Sequence, residues 1–139
     1  MADHLSKHRR SENMRRIRSV GMKPEMLVRR LVHALGYRFR LHRKELSGKP
    51  DLVFVRRRKV IFVHGCFWHQ HQECKAGRLP KSNRGYWRPK LARNIERDAQ
   101  NLLALKSEGW KVCVIWECET KDEVKIRRKL RRFLGEGAT

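Results

Sequence analysis

DLVFVRRRKVIFVHGCFWHQHQEC, residues 51–74, opens with two apolar runs, DLVFV and VIFVH, and closes on a stretch dense in histidine and cysteine. β-Branched and aromatic residues fill both runs and the charged RRRK at 56–59 separates them, so the pattern predicts an antiparallel hairpin. Its register depends on the turn. A two-residue turn at Arg57-Arg58 sets Asp51 opposite His64, roughly 5 Å away across the strands, and a three-residue turn sets it opposite Val63. Either way a carboxylate stands beside the point where the histidine-rich stretch begins.

Outward from the hairpin, the remaining elements follow from period and punctuation. Pro24 opens a helix in which Leu27, Val28, Leu31, Val32 and Leu35 recur with helical spacing until Gly36 ends it. Tyr37, Phe39 and Leu41 then alternate with Arg38, Arg40 and His42, the pattern of a strand with one buried face. Residues 43–50 read as a polar loop, and residues 65–89, rich in Gly, Pro, His and Cys, carry no clear period. A second helix is expected from about Lys90 to Ser107, stopping near Gly109, followed by a buried strand, KVCVIW, at 111–116. Thr120 and Glu123 form a capping-box pair before a last helix bearing Val124, Ile126, Leu130, Phe133 and Leu134. The order α, β, β, β, α, β, α, without repeat or linker, predicts a mixed α/β (α+β) fold, one mixed sheet flanked by helices on both sides, as a single domain over residues 1–139. Residues 1–20 have little apolar content apart from Met14, Ile17 and Val20 and read as a basic arm that orders on its partner.

Charge narrows the partner. Thirty-five Lys and Arg against 14 Asp and Glu leave a formal +21 and an isoelectric point near 11.1, which points to a polyanion. Trp68, Tyr86 and Trp87, interleaved with the basic runs, favour nucleic acid over a membrane surface. No apolar run approaches the roughly 20 residues that span a bilayer, and the N-terminus lacks the apolar core of a secretion signal, so a cytoplasmic location, with the nucleoid, is the expectation. In that reducing setting Cys66, Cys74, Cys113 and Cys118 read as thiols and not as disulfides.

The chemistry-bearing residues fall into two sets. Cys66, His71 and Cys74 have the spacing of local zinc ligands, and Cys118, just past the strand at 111–116, is the candidate for a fourth; Cys113 lies inside that strand and reads as a small core residue. The second set is oxygen- and nitrogen-bearing. Asp51 starts a buried strand, and Asp98 falls on a helical projection among Leu91, Ile95, Leu102 and Leu105, in the apolar stripe, where a carboxylate needs a partner or a metal. With His64, His69 and Glu25 these suggest a magnesium and acid/base site in which a neutral histidine takes a proton from water.

VIFVHGCFWHQH, preceded by GKPDLVFV and followed by RNIERD and GWKVCVIWEC, resembles the very short patch repair (Vsr) DNA mismatch endonucleases of the PD-(D/E)xK restriction-endonuclease-like superfamily. The resemblance runs from NMRRI, residues 13–17, past Cys118. It implies a magnesium-dependent nick 5′ of the thymine in a T·G mismatch left by 5-methylcytosine deamination, on double-stranded DNA, by a monomer, with other mismatch-repair proteins as candidate partners. It implies further that Asp51 and the Val63 carbonyl hold magnesium and that His69 is the general base. His64, Glu25 and Asp98 then organise water and the histidines, and Asn94 assists. Cys66, His71, Cys74 and Cys118 hold a structural zinc. Phe67, Trp68 and Trp87 enter the base stack, while the arm with Met14 and Ile17 grips the minor groove. His64 stands where the superfamily carries its (D/E)xK element, and His71 and Cys74 are separated by two residues where the family commonly has one. A non-catalytic zinc-stabilised nucleic-acid-binding module is the competing reading; it leaves Asp51, His69 and Asp98 unexplained.

Overall fold

A computed structural model describes residues 23–41, 43–71 and 74–135; the arm with Met14 and Ile17 lies outside them. Helix α1 spans Pro24–Ala34, with Pro24 in its first turn and Gly36 beyond its end at φ +90°. Val28, Leu31 and Val32, one stripe of a 3.6-residue period, are its buried residues. Strands β1 (Arg40–Leu41), β2 (Leu52–Phe54), β3 (Lys59–His64) and β4 (Lys111–Trp116) form one sheet in the order β1-β2-β3-β4. The first two pairings are antiparallel and β3·β4 is parallel. Between β3 and β4 runs α2 (Arg84–Ser107), and α3 (Glu123–Leu134) closes the described chain.

Both faces of the sheet are covered, as the pattern of the sequence predicts. Leu52, Phe54, Ile61, Cys113 and Ile115 pack against α1 and against Ile126, Leu130 and Leu134 of α3. Val53, Val60 and Phe62 turn the other way, onto Leu105 of α2 and Trp110. Strand alternation extends that second face to His64, two residues past Phe62, and to Asp51, two before Val53. Two of the histidine and carboxylate candidates thus lie on the α2 side of the sheet, at one end of the hairpin.

The structure corrects several expectations. The hairpin turn is neither two nor three residues: Phe54 pairs with Lys59 across a four-residue loop, 55–58, so the pairing sets Asp51 opposite Phe62 and not opposite His64 or Val63. Arg58 adopts φ +55° to close that loop, and its N–H bonds to the Val55 carbonyl at 3.2 Å. A left-handed arginine carries no signal of glycine or asparagine, which is why the turn length was not legible. The strand expected at 37–41 shrinks to two exposed residues, although Tyr37 is buried as expected. Helix α2 begins six residues before Lys90, at Arg84, with Pro89 inside it. Proline there removes one hydrogen bond near the helix start, to the carbonyl of Gly85, a modest loss so close to the N-terminus. The cap of α3 is Asp122, whose carboxylate accepts from the Lys125 N–H, while the Thr120 hydroxyl donates to Glu117 inside a 3-10 turn, Glu117–Lys121. Val124 and Ile95 face solvent. Among the described residues, no helix is long and apolar enough to cross a membrane.

Candidate active site and metal centre

Parallel pairing of β3 with β4 puts His64 beside Trp116 as the last rung of the ladder. Past it, the loop after β3 brings Cys66 to Cys74, and the turn after β4 brings Cys118. The carboxyl ends of parallel strands, where two loops diverge, are a common place for a site.

That first loop begins as a tight turn. His69 N–H bonds to Gly65, Gln70 N–H to Phe67 and His71 N–H to Cys66, and Gln70 stands at φ +50° where the turn ends. The reversal of direction sends His69 and His71 to different places. His71 joins Cys66, Cys74 and Cys118: one ligand atom from each lies within 4.8 Å of the others. Its Nδ1 is 3.4 Å from the Cys118 Sγ and 3.7 Å from the Cys66 Sγ. The Cys118 N–H donates to the Cys66 Sγ at 3.4 Å, tying the two loops together. Gly77 completes the wall: a Cβ there would sit 2.2 Å from the His71 carbonyl oxygen, so no other residue fits without moving backbone. Burial pushes the Cys66 thiol up to about 12, against the Cys118 N–H that favours the thiolate. A metal cation supplies the charge that turns such a thiol into a ligand, and three sulfurs with one imidazole fit it. The two-residue spacer, Gln72-Glu73, therefore leaves Cys74 within the cluster.

His69 goes to the other cluster, with His64 and Asp98, again within 4.8 Å of one another. Its Nδ1–H donates to the Asp98 Oδ2 at 2.5 Å. A carboxylate on Nδ1 fixes the tautomer and leaves Nε2 as the proton-accepting nitrogen. The His64 ring stacks on it, centroids 3.8 Å apart and planes 5° apart. Burial first, and then His69, push His64 down to about 4 despite the pull of Asp98, so this ring is neutral at pH 7. Asp51, the residue before β2, completes the arrangement: its Oδ2 accepts from the Val63 N–H at 2.7 Å. A cavity of about 200 Å³ is lined by Asp51, Val63, His64, His69 and Asp98 together.

The remaining candidates are distributed around this centre. Phe67, Trp68 and Trp87 meet edge to face, with centroids 5.2 to 5.8 Å apart. Trp68 is 47% exposed, so the group forms a surface patch and not a core. Asn94, on α2, donates to the Trp68 carbonyl at 3.2 Å and so braces this patch; it does not line the cavity. Glu25 pairs with Arg29 one turn along α1, at 2.7 Å, and is likewise not among the residues lining the cavity.

Four residues at the site escaped the sequence reading. Trp116 stacks flat on His71, 4.3 Å between centroids, and meets His64 edge-on at 5.3 Å, so one indole separates the two clusters. Only the β3·β4 register reveals it. Lys49 and Asn101 line the cavity, Lys49 with a left-handed backbone at φ +50°. Lys90 places its ammonium over Trp68, Tyr86 and Trp87, at 5.4 to 5.8 Å from their centroids. A cation on a cluster of exposed rings was foreshadowed only by the mixture of aromatics and basic residues in the segment.

A histidine held by a carboxylate, beside an acidic strand start and a basic aromatic surface, is equipped for hydrolysis of a phosphodiester. Comparison with known proteins agrees. The sequence profile of the family described as DNA mismatch endonuclease Vsr matches residues 2–76. The chain is 52% identical over 134 residues to the type II nicking enzyme V.XorIIP of Xanthomonas oryzae, covering 96% of this chain and 98% of that one. It is 42% identical to the type II nicking enzyme V.NmeAIP of Neisseria meningitidis, over 98% of this chain and 96% of the relative. With the DNA mismatch endonuclease Vsr of Escherichia coli it shares 37% identity over its whole length and 92% of that protein. The paired histidines, the thiol cluster and these relatives converge: the chain belongs to the Vsr family of DNA mismatch endonucleases and is a DNA endonuclease.

Proposed function

We propose that the protein nicks one strand of double-stranded DNA on the 5′ side of the thymine in a T·G mismatch, the lesion left by deamination of 5-methylcytosine, and so starts very short patch repair. The observation that carries this reading is the His69–Asp98 pair in one cavity with Asp51 and the neutral His64. His69 Nε2 takes the proton of the attacking water, and Asp98 holds the ring in the tautomer that accepts it. His64 positions that ring by stacking and adds no charge to oppose its protonation.

Magnesium would be held by Asp51 and the Val63 carbonyl, and when bound it neutralises charge on the phosphodiester. Two carboxylates, Asp51 and Asp98, on one polar cavity fit such a hard cation. Zinc would be held by Cys66, His71, Cys74 and Cys118, with no open position for chemistry. Phe67, Trp68 and Trp87 enter the stack beside the mismatch, where a wobble pair costs less to deform than a Watson–Crick pair. Glu25 helps organise metal-bound water, Asn94 supports the wedge, and Met14 and Ile17 of the arm lie in the minor groove.

The fold is read as restriction-endonuclease-like, one domain over residues 1–139 with residues 1–20 as the arm, acting as a cytoplasmic monomer on nucleoid DNA. The test is direct: a T·G duplex and its paired counterpart, each labelled on both strands, are incubated with the protein and magnesium. A single nick 5′ of the mismatched thymine is expected. Binding without a nick, or cleavage of both strands of the paired duplex, defeats the reading.

A further inference from the structure

The end of the hairpin remote from Asp51 and His64 carries a groove of about 1090 Å³, lined by Arg38, Arg40, Arg43, Arg56 and Arg57 and by His33. None of the residues lining it is Asp or Glu. Its position follows from topology. Arg56 and Arg57 belong to the loop that joins β2 to β3, whereas His64 ends β3, roughly 16 Å away along the strand. Arg38 and Arg40 lie at the outer edge, since β1 is two strands from β3.

The five arginines are not equally occupied. Arg57 donates to the Leu134 carbonyl at 2.7 Å and covers the Tyr37 ring, so it fastens α3 to the hairpin. Arg43 pairs with Glu45. Arg38, Arg40 and Arg56 are exposed and have no carboxylate partner among the described residues. Two-residue spacing puts Arg38 and Arg40 on one side of an extended segment, while Tyr37 is buried and Phe39 packs on Phe54 with centroids 6.2 Å apart. The guanidinium groups thus project from an anchored backbone. Fixed forks of unpaired arginine around a concavity recognise phosphate oxygens, and a row of them suits a repeating phosphodiester.

We propose that this groove is a second DNA site, which takes the sugar–phosphate backbone of another duplex segment without regard to sequence while the first segment occupies the cavity and the aromatic patch. A molecule with two such sites bridges DNA segments and passes between them, which shortens the search for a rare lesion on long DNA. The proposal rests on the endonuclease assignment and not on the choice of mismatch.

A bridging assay with the full chain tests it. One paired duplex is immobilised, protein is added, and capture of a second, fluorescent paired duplex is measured across a salt series. Wild-type protein is expected to capture it, and the triple variant Arg38→Gln/Arg40→Gln/Arg56→Gln to lose about tenfold or more of that capture while still binding the immobilised duplex. Its salt dependence should be shallower by about 3 in the log–log slope, one counterion per lost phosphate contact. The triple Lys variant should recover much of the capture, and an unchanged melting temperature excludes misfolding. Equal bridging by wild type and the Gln variant, as bridging through protein dimers would give, overturns the proposal, and so does a wild type that bridges nothing, whether or not the groove holds an acidic protein. Failure to nick a T·G duplex would overturn the proposed reaction alone and leave the bridging result standing.

Discussion

The two donor clusters share eleven residues of chain, 64–74, and differ in nearly every other respect. Cys66, His71, Cys74 and Cys118 gather soft donors behind a wall made by Gly77 and the Trp116 ring. His64, His69 and Asp98 gather nitrogen and oxygen donors on an open cavity shared with Asp51. Interleaving them makes each depend on the other: the turn that sends His71 inward to the thiols sends His69 outward to Asp98. A loop of this kind has little apolar material to hold it, and four ligands on one ion can supply what a hydrophobic core does elsewhere. The open cluster can then be built from side chains that titrate and exchange protons.

The sharpest way to break this division is to remove the open cluster. Nicking by His69→Ala should fall by about 10²–10⁴-fold, the range for loss of a positioned general base, and by at least as much in Asp51→Ala. Both variants should keep the metal of the thiol cluster, read by elemental analysis, and the wild-type melting temperature. If Asp51→Ala unfolds, the two clusters are not separable. Cys118→Ala reverses the pattern: it should lose its zinc and destabilise the fold by about 3 kcal/mol or more, read by chemical denaturation. Full retention of zinc would show that the ligands were wrongly assigned.

Smaller effects refine the boundary between the clusters and the aromatic patch. Trp68→Ala should weaken binding to a mismatched duplex by about 1–3 kcal/mol, the worth of one stacked base, with the rate at saturation less affected. Equal loss of affinity for paired and mismatched duplex would mean that the ring is a general contact and not a wedge. The smallest effect concerns pH. His64 is held down at about 4 from an ordinary value near 6.5. Keeping that ring neutral costs nothing above pH 6.5; as the pH falls below it the unfolded chain binds the extra proton first, so this stability declines and is lost as the pH passes through about 4. His64→Gln should therefore lose less stability than the wild type between pH 6.5 and 4 in paired urea titrations.

Much of this was legible in the sequence, for reasons that can be named. Helix α1, strands β3 and β4 and the buried stripe of α3 carry strong periods, and the thiol cluster is visible because three of its ligands are local. Asp98 was recoverable since a carboxylate in an apolar stripe has few explanations. What stayed hidden depends on contacts between distant segments or on unmarked backbone. Arg58 takes a left-handed conformation without being glycine, so the hairpin register could not be read. Pro89 concealed the first turns of α2, and with them the fact that Tyr86 and Trp87 ride on a helix. Trp116 reads as the end of a buried strand until the parallel ladder sets it beside His64.

That last rung has a consequence for how this chain tolerates insertion and deletion. Adding one residue within β4 would turn Trp116 to the opposite face of the sheet and draw Cys118 out of reach of His71, since side chains alternate with a period of two. A residue added within β3 would do the same to His64. The loop at 55–58 is tied to neither cluster, and lengthening it adds slowly growing closure entropy and loosens the Arg57 bond to the Leu134 carbonyl. The strands that end at the site must therefore keep their length to the residue, while a residue added at the hairpin tip spares both clusters and is felt at α3 and the arginine groove instead.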